Sequence, residues 1–214
     1  MANGRIGGGG GLGKCCAGFC SFLFAAGFIV LIYWAIFQPH HIRATVETAA
    51  LSDLAVVSGN NASSAAAAVS YHLAVTLNIY NPSVRVKIYY DAIDAELRFR
   101  DAAVIGPAAN DTSPSVFFQR GRTRDDVKLE FDYGRPGVAV PGDVAGELEK
   151  EMKIGGTVSL ELYVDVRVRY VFRMFKLRQK PKIWCSLSIP VKAEGRRRGV
   201  GGPIASGERC KVKY

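Results

Sequence analysis

Residues 69–79 read VSYHLAVTLNI, and within them Val69, Tyr71, Leu73, Val75, Leu77 and Ile79 alternate with Ser70, His72, Ala74, Thr76 and Asn78. A period of two sends the two sets to opposite faces, the mark of a half-buried β-strand. After Asn81-Pro82-Ser83 the pattern resumes with Val84, Val86, Ile88 and Tyr90, then with Ile93, Ala95, Leu97 and Phe99 between charged neighbours. It returns over Val127, Leu129 and Phe131, over 158–172, and over Ile183, Cys185, Leu187 and Ile189; residues 42–57 begin the series. Short strands separated by turn signals predict an antiparallel β-sandwich. One segment departs from it: residues 143–153, DVAGELEKEMK, hold helix formers and predict a short helix capped by Asp143.

Outward from this β region, towards the N-terminus, lies a gap in the charge. Between Lys14 and Arg43 no charged residue occurs, and residues 17–37 read AGFCSFLFAAGFIVLIYWAIF. A helix of that length matches a bilayer's hydrocarbon core, with Tyr33 and Trp34 suited to the headgroup interface. A cleaved signal peptide fits less well, because its apolar stretch is shorter and Gln38-Pro39-His40 offers no small-residue cleavage site. Arg5 and Lys14 precede the run and no basic excess follows it, which predicts a cytosolic N-terminus and an extracellular C-terminal part. Two sequons, at Asn61 and Asn110, are candidate glycosylation sites on that far side. The boundaries expected are a flexible tail over 1–14, a transmembrane helix over 15–38, a β domain over 39–191 and a disordered basic tail over 192–214.

The net charge of +9 is unevenly spread. Residues 192–214 carry +5, and without them and Arg5 and Lys14 the remainder is +2. Nucleic-acid binding asks for a basic stripe on the fold and is not expected. The tail and the outward Arg120, Arg122, Arg124, Arg167 and Arg169 are instead candidates for anionic lipid or acidic cell-wall polysaccharide. Gly8, Gly10 and Gly13 satisfy a dinucleotide-binding spacing, but an apolar anchor follows them, so the match is compositional.

Residues 81–91, NPSVRVKIYYD, carry a resemblance to a known family. With Asn81, Pro82, Tyr89, Tyr90 and Asp91 as a first block, Phe118-Gln119 as a second, and Arg169 with Cys185 in a third, the chain resembles the plant harpin-induced-like and non-race-specific-disease-resistance-like proteins. Their outer part is a late embryogenesis abundant group 2 domain. The third block lacks the usual glycine after its Val168-Arg169 pair and has Ser186 where an aspartate is usual. The resemblance covers residues 17–191 and implies a fibronectin-III-like sandwich of about seven strands with one short helix. It also implies a non-enzymatic role in defence or stress at the plasma membrane, by adhesion or by complexes with unidentified protein partners. Read physically, Asn81-Pro82 is a tight turn, and the Tyr89-Tyr90 pair points one ring inward and one outward.

No catalytic residue, cofactor site or metal site is expected. Nucleophile-elbow, zinc-protease and Cys-x-x-Cys motifs are absent, and adjacent His40 and His41 point apart on an extended chain. His72 falls on a polar strand face. Cys15 and Cys16, beside Cys20 at the cytosolic edge of the anchor, are open to S-palmitoylation or to plain apolar packing. Cys185, inward on its strand, is expected as a buried free thiol in preference to a disulfide with Cys210 in the tail. The alternative function is a membrane-tethered lipid-binding or lipid-transfer module, which would need an apolar cavity between the sheets.

Overall fold

The alternating stretch lies in the middle strand of the longest pairings. In the computed structural model, β1 (Arg43–Val57) and β6 (Arg124–Pro141) flank β2 (Ala66–Tyr80), both antiparallel to it. The residues described are 11–37, 41–57, 66–99, 103–107, 117–154, 156–172, 175–193, 198–201, 203–204, 207 and 209–214. They divide into two units, Met1–Pro39 and His40–Tyr214.

The first unit is the helix α1 (Gly11–Phe37), 27 residues long and so about 40 Å. It starts before the boundary expected at residue 15. Its side chains are described over residues 19–32, where Phe22, Phe24, Phe28 and Ile29 are exposed. Among the described residues no helix is long and apolar enough to cross a membrane.

The second unit is mainly β and antiparallel. Its further elements are β3 (Lys87–Phe99), β4 (Ala103–Pro107), β5 (Phe117–Gln119), α2 (Gly142–Ile154), β7 (Thr157–Phe172), β8 (Phe175–Gln179), β9 (Lys182–Ala193), β10 (Arg198–Gly201), β11 (Pro203–Ile204) and β12 (Lys211–Lys213). The strands run β4-β3-β7-β9-β10-β1-β2-β6, with β5 on β3, β8 on β7, β11 on β1 and β12 on β9. That is more strands than the seven expected, because short edge pieces join the long ones. The two ends of the path meet: the Tyr71 hydroxyl donates to the Ile105 carbonyl at 3.3 Å, and Gly106 lies under Tyr133. Gly106 has φ +150°, and a Cβ there would fall 2.6 Å from the Tyr133 ring, so a side chain would strain the backbone and push that ring aside.

The inward set of every long strand enters one apolar core, in which Leu73, Leu77, Ile79, Leu129, Leu162 and Leu187 are fully buried. Each such side chain contributes about 1.5–3 kcal/mol relative to exposure. Helix α2 adds Ala145, Leu148 and Met152 from one face, at the spacing an amphipathic helix needs. It starts at Gly142, so Asp143 sits in the first turn, where it favours the helix dipole, rather than at the cap.

The described residues of 192–214 are not the disordered tail expected. Gly199 and Val200 pair with Ala193 and Lys192, Ala50 pairs with Pro203, and Lys211–Lys213 lies along Trp184–Lys182. Edge pairing needs only backbone donors and acceptors, so Gly- and Arg-rich segments without apolar periodicity can still join a sheet. Cys185 is likewise not a free thiol: it forms a disulfide with Cys210, which brings β12 against β9.

Candidate functional site

The first motif block builds a turn that docks on a second turn. Asn81 and Gln119 are both fully buried, and buried amides must be hydrogen-bonded. Asn81 Nδ2 donates to the carbonyls of Val86 (2.9 Å) and Arg120 (3.1 Å), and its Oδ1 accepts from the Ser83 amide at 3.1 Å. Gln119 Nε2 donates to the carbonyls of Ile79 (2.8 Å) and Thr123 (3.3 Å), while its Oε1 accepts from the Tyr90 hydroxyl at 2.8 Å. The backbone amide of Arg122 is shared between the carbonyls of Asn81 and Ser83, at 2.9 and 3.0 Å. Gly121 lies flat against the other turn, where a Cβ would meet Ser83 O at 2.5 Å and Val84 O at 2.6 Å. The turn-plus-core-aromatic reading of the block holds: Tyr90 is buried and stacks on Phe117 at 4.3 Å, while Tyr89 is half-buried against Phe118.

This knot fixes a group of cations at one end of the β domain. Arg85 leaves one turn, Arg120 and Arg122 the other, and Arg124 opens β6, all of them exposed. Arg124 lies over the Tyr80 ring at 5.3 Å, Lys87 lies over Phe118 at 5.9 Å, and Arg43 pairs in register with Tyr80. Val84 in the first turn is 62% exposed, and Phe118, which packs against Tyr89 and Lys87, is 39% exposed. Arg122 holds φ at +58°, the left-handed region that suits glycine. A side chain there costs about 1–2 kcal/mol.

The other two arginines proposed to face outward for acidic groups have partners inside the chain. Arg169 binds Asp91 at 2.6 Å and lies over Tyr89 at 5.7 Å; Arg167 binds Asp94 at 3.5 Å. A register of adjacent strands puts acids and bases side by side here, so these arginines are already satisfied.

The C-terminal residue closes the same end. Tyr214 Oη accepts from the Ile42 amide at 2.8 Å and lies 3.1 Å from Tyr170 Oη, with the His41 ring 4.5 Å away. Burial raises the Tyr90 and Tyr170 phenols well above their ordinary range; for Tyr170 the hydrogen bond with Tyr214 adds to it. Tyr214 is raised by burial, against the lowering effect of the bonds with Tyr170 and Ile42.

A cleft of about 210 Å³ opens on the outer flank, lined by Asp53, Ser70, His72, Asp132, Tyr133 and Arg135 among others. Its lining mixes polar and apolar groups and includes the buried Tyr71. His72 Nδ1 is 3.7 Å from Asp132, but Ser70 Oγ donates to the Ala55 carbonyl at 3.5 Å, so no nucleophile–base pair forms. Among the described residues no group of histidines, cysteines or carboxylates is placed to hold a metal. Asn61, Asn110 and His40 lie outside the described residues, as do the side chains of Cys15 and Cys16 in α1.

Sequence reasoning missed the Cys185–Cys210 link and the closure by Tyr214. Two cysteines on the same side of an anchor were a signal for the first; the second had none.

The chain is similar to several Arabidopsis thaliana proteins. It is 27% identical to NDR1/HIN1-like protein 3 over 189 residues, covering 88% of this chain and 74% of the relative. With NDR1/HIN1-like protein 10 it shares 28% over 173 residues, covering 80% and 70%. With NDR1/HIN1-like protein 2 it shares 29% over 175 residues, covering 80% and 65%. These matches bear out the resemblance carried by the motif blocks. No family model matches. A crystal structure of a protein from Archaeoglobus fulgidus aligns with a TM-score of 0.31 at 10% identity, over 72% of this chain and 97% of that one, too distant to carry an argument.

Proposed function

With similarity to the NDR1/HIN1-like proteins as its premise, we propose that the chain is a non-enzymatic, single-pass plasma-membrane protein of the plant defence or stress response. It works by adhesion or protein-complex formation at the boundary of membrane and cell wall. In this reading α1 is the anchor, supported by its uncharged 17–37 run, and the N-terminus is cytosolic. The antiparallel layers around one core form the outer sandwich. The observation that carries the topology is the Cys185–Cys210 disulfide, because such links persist in oxidising compartments and are rare in the cytosol. Asn61 and Asn110 would then be open to glycosylation and Cys15 and Cys16 to palmitoylation.

Protease added to intact protoplasts tests this. It should remove the domain beyond Pro39 and spare an N-terminal tag, and a glycosidase shift should vanish when Asn61 and Asn110 are both changed to Gln. A C-terminal tag exposed to the cytosol instead would overturn the topology and the adhesion role with it. The alternative, a membrane-tethered lipid-binding or lipid-transfer module, would be favoured if mass spectrometry found a lipid co-purifying in defined stoichiometry.

A further inference from the structure

We propose that the end of the β domain built by the two knotted turns is a docking face for anionic, phosphate-bearing lipid headgroups. This rests on the anchored reading above and names the partner of its basic residues. Arg43, Arg85, Lys87, Arg120, Arg122 and Arg124 all belong to this end. The carboxylates nearest in sequence, Asp125 and Asp126, offset only part of this charge; Asp126 accepts a hydrogen bond from Asn78 Nδ2 and remains anionic. Among the described residues, Arg85, Arg120 and Arg122 have no carboxylate partner, whereas Arg167 and Arg169 on the sheet do. Charge complementarity therefore points to an anionic occupant.

The apolar tip chooses between anions. Val84, at 62% exposure, projects from the turn that Gly121 packs against, with Phe118 exposed beside Lys87. Exposed apolar side chains at an end that carries these cations match a headgroup layer over acyl chains. A polysaccharide has no acyl layer in which the valine could be buried. Arg122 holds a left-handed φ that glycine would adopt without strain, and its side chain is exposed at this end.

The test uses the full chain in lipid nanodiscs, with a tryptophan introduced by Val84→Trp and dibrominated acyl chains as quencher. The parent in identical discs supplies the background from Trp34 and Trp184. The added emission should be quenched in phosphatidylserine-containing discs and not in purely phosphatidylcholine discs, and the quenching should fade between about 0.15 and 1 M salt as screening tightens. Changing Arg85, Arg120, Arg122 and Arg124 to Gln should lower the docking equilibrium constant about fivefold for each residue removed, with an unchanged melting temperature. Trp34 keeps the two readings apart. If Trp34 is quenched and the introduced tryptophan is not, the docking face is wrong and the anchor stands. If neither is quenched, the anchor fails and the inference with it. Equal quenching in both lipids overturns the role of charge. No quenching in anionic discs, together with polygalacturonate binding that the fourfold Gln variant abolishes, would give the face to an acidic polysaccharide.

Discussion

The face made by β3, β7 and β9 and the end made by the two turns both carry arginine and lysine, and they handle the charge differently. On the face, Asp94 and Asp165 stand directly opposite each other, an arrangement that alone would repel. Arg167 binds the first and Lys182 the second, each at 3.5 Å, while Arg169 and Asp91 close at 2.6 Å. Strand spacing fixes neighbours within reach of one another, so acids and bases on a sheet cancel. At the turns the backbone bonds are saturated by Asn81 and Gln119, and the side chains of Arg85, Arg120 and Arg122 splay from short loops. A modest net charge on the fold therefore conceals a neutral face and a cationic end.

The strongest way to break this contrast is to unlock the end. Cys185 and Cys210 are 25 residues apart, and a link of that span constrains the unfolded chain by about 3.5 kcal/mol. Replacing both by Ser should lower stability by about that amount in urea titration. Hydrogen exchange should place the new opening at the Ile42 amide, which donates to Tyr214, and leave the β3–β7 amides protected. A loss under about 1 kcal/mol would mean that β12 is held without the disulfide.

Next comes the knot itself. Asn81→Ala strips partners from the Val86 and Arg120 carbonyls and the Ser83 amide at a buried site, at a cost of about 3 kcal/mol. The two turns should part, dispersing the cations while the Asp91–Arg169 pair persists. A thermal melt within a degree or two of the parent would show that water replaces the side chain.

Which of these features could be read in advance follows from how local each one is. Alternation over 69–79 is a property of neighbouring residues, so the strand, its inward face and the antiparallel sheet were legible. The turn at Asn81-Pro82 was legible for the same reason. Its partner was not: Gly121 and Arg120 lie some 40 residues on, and nothing in NPSVR names them. The 192–214 segment misled because composition reports on core-forming ability, whereas β10 and β12 are held by backbone bonds and one disulfide. Arg167 and Arg169 looked free because register, which supplies their acids, does not show in a single strand.

The paired face can be sharpened by a double-mutant cycle. Asp91→Asn, Arg169→Gln and the double variant should give a coupling energy of about 1 kcal/mol, near the upper end for exposed pairs. Both side chains keep roughly a third of their exposure, and contact is made at two guanidinium nitrogens. The coupling should weaken with added salt. Zero coupling would erase the distinction between face and end.

The smallest effect concerns a residue whose backbone is worse off for being arginine. At Arg122 the left-handed φ of +58° favours glycine by about 1 kcal/mol, and Arg122→Gly keeps the amide bonds to Asn81 and Ser83. Against that, glycine loses more conformational freedom on folding, which removes most of the gain. The net change in stability should thus lie between zero and about +0.5 kcal/mol, and Arg122→Gln, which keeps the strain, should fall within about 0.5 kcal/mol of the parent. Both variants should nonetheless weaken contact with anionic nanodiscs to the same degree, about fivefold, because each removes one guanidinium. That combination, a surface residue neutral for folding and equally missed by the lipid whichever residue replaces it, is what an arginine retained for contact requires. If either variant instead loses more than about 1.5 kcal/mol in urea titration, the side chain is part of the knot, and the end is built like the face after all.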